Sequence, residues 1–559
     1  MSAPLLINTI KQYVIEALEA ARQDGLLQLE TMPEVIVERP SNSDNGDFAT
    51  NLPLRLARAT RINPLELAQN LASNISTNDV IDRVEAAPPG FINFYLKESW
   101  LQQQVDIIRQ NGREFGNIDS GQGRKMMVEY VSVNPTGPVH VGHTRGAVLG
   151  SALANILEAA GFDVTREYYI NDAGNQMQLF YRSVLARYRQ ELGYESEMPD
   201  NGYMGDYIVD LAKEIIDAEG PKFLELEEDQ ALVAIGDVGR EKMVDTIKDD
   251  LASIGVEFDN WFSERTLFSS GEYQSTIDQL RKNDYLSERE GALWFNTTIL
   301  GEDKDNVVVK STGEPTYFAS DIAYHRNKFI EREFESVVDI WGADHQGHVP
   351  RMEAAVEAMG IERGRFTVLI SQMVTLRRGD AVVRVSKRGG NLVTLRELAD
   401  EVGTDACRFS FLARAASTHM EFDLELAKKE SSENPVFYVQ YAHARNSSIL
   451  KLARERGIDW STGDINLLTN PTELDLIRAL LRLPELIGDM ASSLEPHHLP
   501  HYATDLANKF HNFYENCRVV SSNEEDDEIT AARLKLVESA LIVFRRTLNL
   551  MGMAVPDRM

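Results

Sequence analysis

Glu129-Tyr130-Val131-Ser132-Val133-Asn134-Pro135-Thr136-Gly137-Pro138-Val139-His140-Val141-Gly142-His143 joins an apolar run to a pair of histidines across a turn rich in proline and glycine. Met126 to Val133 is apolar and β-branched enough for a buried strand, and Asn134 to Pro138 ends it. Leu149, Leu153, Ile156 and Ala160 then recur as one helical stripe, and Gly161 suits a C-terminal cap. The expected unit is strand, turn and helix, with His140 and His143 at or just before the helix N-terminus. Unpaired N–H groups and the helix dipole make such an end attractive to phosphate. Gly142 lets an imidazole approach closely, and imidazoles one turn apart can donate to phosphoryl oxygens as charge builds there. Read alone, His140-Val141-Gly142-His143 is equally consistent with rings that only cap a helix.

A second element, Arg384-Val385-Ser386-Lys387-Arg388-Gly389-Gly390-Asn391, follows β-rich runs at Thr367 to Leu376 and Ala381 to Val385, which a turn at Arg377-Arg378-Gly379-Asp380 joins. A lysine on a loop with Gly389 and Gly390 can close over a triphosphate and neutralise departing pyrophosphate. By itself the segment is only a basic surface loop.

Together these elements resemble the HIGH and KMSK signatures of class I aminoacyl-tRNA synthetases. Val141 replaces an isoleucine, Arg384 and Val385 replace the first lysine and the methionine, and Lys387 keeps the position of the second lysine. Tyr168 to Gln176, Pro315 to Asp321, Trp341 to His345, Asn434 to Ala442, Arg39-Pro40 with Gly46 to Asn51, and Ala554 to Met559 are similar to arginyl-tRNA synthetases, so the resemblance covers essentially the whole chain.

An arginine side chain offers a planar fork of donors and a permanent positive charge, which calls for carboxylates and other acceptors. Glu129, Tyr317 and Asp321 fit that need, the last pair being four apart on one expected helix face. The resemblance implies that Tyr317 and Asp321 meet the guanidinium, Asn134 holds the α-amino end, Glu129 lines the pocket, and Asp344 and His345 belong to its second half. It implies that His140, Gly142, His143, Ser386 and Lys387 bind ATP, with His140, His143 and Lys387 catalytic. The implied chemistry is attack of the arginine carboxylate on the α-phosphorus of ATP, carried with Mg²⁺, and transfer of the arginyl group to the 2′-hydroxyl of the terminal adenosine of tRNA(Arg). It also implies that tRNA binds before arginine is activated. No zinc is expected, because Cys407 and Cys517 are the only cysteines.

At 559 residues and 43% apolar composition the chain has room for several cored domains. The expected fold is α/β: a Rossmann-type parallel-sheet catalytic domain with an N-terminal α+β domain and a C-terminal all-α helix bundle. We place the N-terminal domain, by resemblance a candidate contact for the tRNA corner, at 1–118, with Phe91 to Leu96 as an edge strand. The catalytic domain spans 119–400, with a helical insertion at about 175–260 and the lysine segment at 384–391. The bundle spans 401–559 and, by resemblance, binds the anticodon. There, Phe437, Tyr441, Arg445 and Tyr514 mix rings and cations as base-stacking surfaces do. The N-terminus lacks a basic region followed by an apolar core, and no run of about 18 apolar residues occurs, so a cytoplasmic protein with no membrane partner is expected, with a monomer as default.

The net charge of −30 argues against indiscriminate nucleic-acid binding but permits a local basic face. Two rival readings use the same motifs. A small-molecule nucleotidyltransferase shares an H-x-G-H turn but is short and lacks a C-terminal helical domain. A non-catalytic tRNA-binding relative would have no need of His140, His143 and Lys387.

Overall fold

The computed structural model describes residues 5–29, 31–383 and 393–559. Its centre is a parallel sheet built from β1 (Lys125–Glu129), β2 (Asp163–Ile170), β3 (Asn260–Ser263), β4 (Ser336–Gly342) and β5 (Phe366–Ser371), in the order β5-β4-β1-β2-β3. Strand order reverses between β1 and β4, so the chain leaves these neighbours in opposite directions and opens a crevice beyond their carboxyl ends. β1 feeds helix α1 (Val141–Ala159), and α2 (Tyr317–Arg326) precedes β4.

Helix α1 is buried on nearly every side, because it lies against the sheet and against the helices that follow it. Gly150 is the closest approach: a Cβ there would stand 2.2 Å from Cγ of the Tyr130 ring. Gly150→Ala is therefore expected to cost about 1–3 kcal/mol through overpacking, seen as a lower Tm in a thermal melt. An unchanged Tm would mean that helix and ring can separate at little cost.

Several expected elements shift. The first strand stops at Glu129 rather than Val133, since Val131 and Ser132 take φ of 70° and 43°. A β-branched residue pays for that left-handed conformation, and Val131 is held in it beside the crevice. The run Thr367 to Leu376 divides, its first part forming β5 and its second forming β6 (Val374–Arg378), which pairs antiparallel with β7 (Ala381–Val382). Strands do not vanish after residue 400: β8 (Met420–Asp423) pairs parallel with β6. Helices Asn175–Glu191, Asp206–Glu219 and Glu228–Ser253 fill the connection between β2 and β3. A small antiparallel sheet, Leu286–Arg289, Ala292–Phe295 and Asn306–Val309, lies ahead of α2 and was not expected.

Near the N-terminus, Phe91–Leu96 is the central strand of three, flanked by Phe48–Thr50 and Ile81–Ala87, and not an edge. This portion docks on the C-terminal helices through polar contacts. Arg39 Nε lies 2.8 Å from Glu485, Arg478 Nε 2.6 Å from Asp47, and Arg109 Nε 2.7 Å from Glu538. The C-terminal helices, Pro435–Glu455, Pro471–Leu480, Arg482–Ser493, His498–Asn516 and Asp527–Leu550, pack around a core that includes Phe510, Phe513 and Phe544. The fully buried Arg408 ties this region to α1, donating to the Met551 and Ile254 carbonyls and to Ser151 Oγ at 2.6, 2.8 and 2.7 Å. No helix among the described residues is long and apolar enough to cross a membrane.

Candidate active site

His140 is the N-cap of α1 and accepts from the Gly142 amide through Nδ1 at 3.1 Å, while His143 stands inside the first turn. The two rings are 4.0 Å apart between centroids. A Cβ on Gly142 would come within 2.9 Å of His140 Cε1, so glycine there is what lets the ring fold back over the helix end.

Ser386 and Lys387 lie outside the described residues, but the chain on both sides of their segment is fixed. On the near side, Val383 N donates to Leu376 O at 2.9 Å. On the far side, Val393 O accepts from Val141 N at 3.0 Å, Leu395 N donates to Val139 O at 2.8 Å, and Thr394 bridges His140. Residues 393–395 are thus clasped onto the histidine turn. Arg145, one turn further along α1, reinforces the join. Its buried guanidinium donates to the carbonyls of Gln372, Ala415 and Thr418 at 3.0, 2.7 and 2.7 Å, at the start of β6 and ahead of β8. Burial lowers its pKa, and its hydrogen-bond acceptors among the described residues are all backbone carbonyls.

A second cluster forms beyond β1, β2 and β4. Glu129 is buried, accepts from Ser132 Oγ at 2.8 Å and pairs with Lys328 Nζ at 2.5 Å. Ser132 also accepts from the Tyr169 amide at 3.1 Å, and its carbonyl accepts from Asn171 at 2.8 Å, so the strained Val131-Ser132 backbone links β1 to β2. Asn134 donates to Gln176 Oε1, which places it at the mouth of the helix Asn175–Glu191. Tyr317 opens α2 with its ring largely exposed and its hydroxyl packed on Gly174, where a Cβ would come within 2.9 Å. Asp321 follows one turn along, its carboxyl pushed up by burial and pulled back by His325, Arg351 and His345. Asp344 and His345 are exposed on the turn Ala343–His348 that leaves β4.

Two residues not singled out from the sequence belong to this cluster. Glu264, at the start of the helix Glu264–Ser269, is 3% exposed, and its Oε2 has no hydrogen-bond partner among the described residues. Burial pushes its carboxyl up to about 7, Ser320 opposing by hydrogen bond and Asp321 and Asp172 adding repulsion. Tyr169, whose buried hydroxyl likewise has no partner among the described residues, lies near Glu264, Asp321 and Glu129. The crevice therefore holds two buried oxygens, Glu264 Oε2 and the Tyr169 hydroxyl, unmatched among the described residues, which suits a cationic ligand rich in N–H groups.

In the bundle, Phe437 and Tyr441 are parallel rings 6.2 Å apart. Arg445 lies 5.0 Å over the Tyr441 ring and 4.5 Å over Tyr514. The four candidate residues share one partly exposed patch, whereas Phe510 and Phe513 are core.

Residues 8–96 match the arginyl tRNA synthetase N terminal domain, 104–412 the catalytic domain of class I tRNA synthetases (R), and 439–559 the DALR anticodon binding domain. The chain is 53% identical over 552 residues to an arginine–tRNA ligase of Dehalococcoides mccartyi strain CBDB1, covering 99% of each. The chain belongs to the arginyl-tRNA synthetase family. A relative from Heliobacterium modesticaldum, also an arginine–tRNA ligase, is 46% identical with 98% of each chain covered. Among solved structures, a putative arginyl-tRNA synthetase from Campylobacter jejuni is 32% identical, with a TM-score of 0.76 over 83% of this chain and 100% of that one. The Thermus thermophilus arginyl-tRNA synthetase shares the fold, with a TM-score of 0.77 at 22% identity over 99% of this chain and 100% of that one. The protein is thus an arginine–tRNA ligase built on a class I synthetase catalytic domain.

Proposed function

We propose that the acidic crevice takes the arginine side chain and the histidine turn takes ATP. The observation that carries the first assignment is the convergence of Glu129, Asp321 and Glu264 around the unpartnered Tyr169 hydroxyl. In this reading Asp321 and Tyr317 meet the guanidinium, Glu129 and Glu264 line its pocket, Asn134 holds the α-amino group, and Asp344 and His345 close the second half. The arginine carboxylate then attacks the α-phosphorus in line. His140 and His143 donate to phosphate oxygens where charge develops, Gly142 keeps their approach open, Ser386 helps to bind ATP, and Lys387 neutralises the leaving pyrophosphate. Mg²⁺ arrives with ATP as part of the substrate. No enzyme nucleophile is needed, since alignment and charge stabilisation suffice.

The second step passes the arginyl group to the 2′-hydroxyl of the tRNA terminus, with tRNA bound before activation. The segments 1–118, 119–400 and 401–559 serve as tRNA-corner, catalytic and anticodon domains, and Phe437, Tyr441, Arg445 and Tyr514 stack on anticodon-loop bases. The protein works as a cytoplasmic monomer. A small-molecule nucleotidyltransferase would leave the bundle without a task, and a non-catalytic tRNA binder would leave the acidic crevice without one.

ATP–pyrophosphate exchange with each amino acid, with and without tRNA, tests the reading. Exchange with arginine only when tRNA is present supports it. Exchange with another amino acid moves the specificity, and none under any condition removes the catalytic assignment.

The Glu264 carboxyl adds a pH signature. Because a cation binds the ionised form better, the KM for arginine should fall as pH rises through about 7 and then level off. Glu264→Gln should raise KM on the alkaline side and abolish the slope. A wild-type KM that stays flat across this range would exclude Glu264 from the pocket.

A further inference from the structure

Leu494-Glu495-Pro496-His497-His498-Leu499-Pro500-His501 joins the helices Arg482–Ser493 and His498–Asn516 and gathers three of the chain's 11 histidines into one turn. Leu494 bends the chain at φ 57°, and a proline on either side of the histidine pair restricts the backbone there. Glu495 and His498 are exposed and His497 is half-buried, so all three side chains reach solvent. None of them takes part in the crevice or the histidine turn described above.

One ligand atom from each of Glu495, His497 and His498 lies within 4.8 Å of the other two. His498 Nε2 is 3.4 Å from Glu495 Oε2, and the His497 and His498 rings are 4.1 Å apart between centroids. Bonds of about 2.0–2.2 Å around a tetrahedral ion put neighbouring ligand atoms about 3.3–3.6 Å apart. The His498–Glu495 pair already has that spacing. Closing the third atom onto it takes about 1.5 Å at most, a modest side-chain rotation for residues that reach solvent. A simple ion pair would account for Glu495 and His498 but not for the second imidazole stacked beside them.

The donor set also selects the ion. Two imidazoles and one carboxylate suit a borderline transition ion, whereas Mg²⁺ and Ca²⁺ take shells of oxygen. The cysteine count argues only against a thiolate zinc site. The positive end of the helix His498–Asn516 opposes a cation here, and Asp489, which lies near His498, also lies near Lys11. The Glu495 carboxylate is the group within the cluster that offsets this.

We propose that Glu495, His497 and His498 bind one divalent ion of the Zn²⁺ class, which fixes the turn between the two helices and leaves its fourth position to water. His501, with its ring 6.4 Å from that of His497, stands outside this shell.

The test is calorimetric titration with Zn²⁺ of the full-length enzyme after dialysis against a chelator. Wild type should bind one ion, with a Kd of about 10 µM or tighter, that His497→Ala/His498→Ala does not bind. Glu495→Gln should weaken the same binding at least ~10-fold. Added Zn²⁺ should raise the Tm of wild type and not that of the double variant, while the two melt alike without metal. Equal Zn²⁺ binding by wild type and the folded double variant would place the ion elsewhere, at the histidine turn for example, and overturns the proposal. Wild type that takes up no ion at about 100 µM Zn²⁺ overturns it as well. If the double variant does not fold, Glu495→Gln decides: unchanged affinity excludes this turn as the site.

Discussion

Replacing His143 with alanine is expected to lower kcat about 10²- to 10³-fold, with a much smaller change in the KM for ATP. The imidazole stands in the first turn of α1, 4.0 Å from that of His140, where helix-end amides already favour an anion. Its contribution grows as charge accumulates on the phosphate oxygens, so its loss is felt in the transition state rather than in ground-state binding. Lys387→Ala should behave alike, because the residues that follow its segment are hydrogen-bonded to the histidine turn itself. Single-turnover measurement of adenylate formation, with tRNA present, separates chemistry from product release. A raised KM with unchanged kcat would reassign either residue to simple substrate holding.

Asp321→Ala should act on the other substrate, raising the KM for arginine about 10²- to 10³-fold. A desolvated guanidinium that loses its carboxylate forfeits about 3–5 kcal/mol, and a backbone position on α2 cannot supply a substitute. The effect on kcat at saturating arginine should be small, since in the proposed reading Asp321 meets the guanidinium and not the reacting carboxylate. Steady-state aminoacylation over a wide range of arginine concentration is sufficient, and an unchanged KM would place the guanidinium elsewhere.

The signals that were legible in the sequence share a physical trait: they are patterns of neighbours. The helix after His140 showed in the spacing of Leu149, Leu153 and Ile156, and the turn before it in Asn134 to Pro138. Four-residue strands such as Asn260–Ser263 and Leu286–Arg289 are too short for alternation to register, and Met420–Asp423 stands among helices. Phe91–Leu96 alternates as a half-exposed strand would, yet both its sides are paired, and pairing leaves no mark on hydropathy.

The site divides the same way. Glu129, Tyr317 and Asp321 were singled out because they sit in recognisable runs; Glu129 and Asp321 both lie near Tyr169, and the Tyr317 hydroxyl packs on Gly174. Glu264 and Lys328 are single ionisable residues whose burial arises only when distant segments meet. A cue was present in Phe262-Ser263-Glu264, a carboxylate at a helix start after apolar residues, but that pattern is common in surface helices. Lys387, singled out from sequence alone, lies outside the described residues.

The joint between the two ends of the chain sets an order of biosynthesis. Arg109 must wait for Glu538, which is 538 minus 109, or 429, residues later. At about 5–20 residues per second, that wait is roughly 20 to 90 seconds of translation. Throughout it, the N-terminal sheet has to stand on its own core while Arg39, Asp47 and Arg109 lack their C-terminal partners. A nascent chain stalled before Glu538 would thus carry an open, charged seam, which a protease would find before any substrate did.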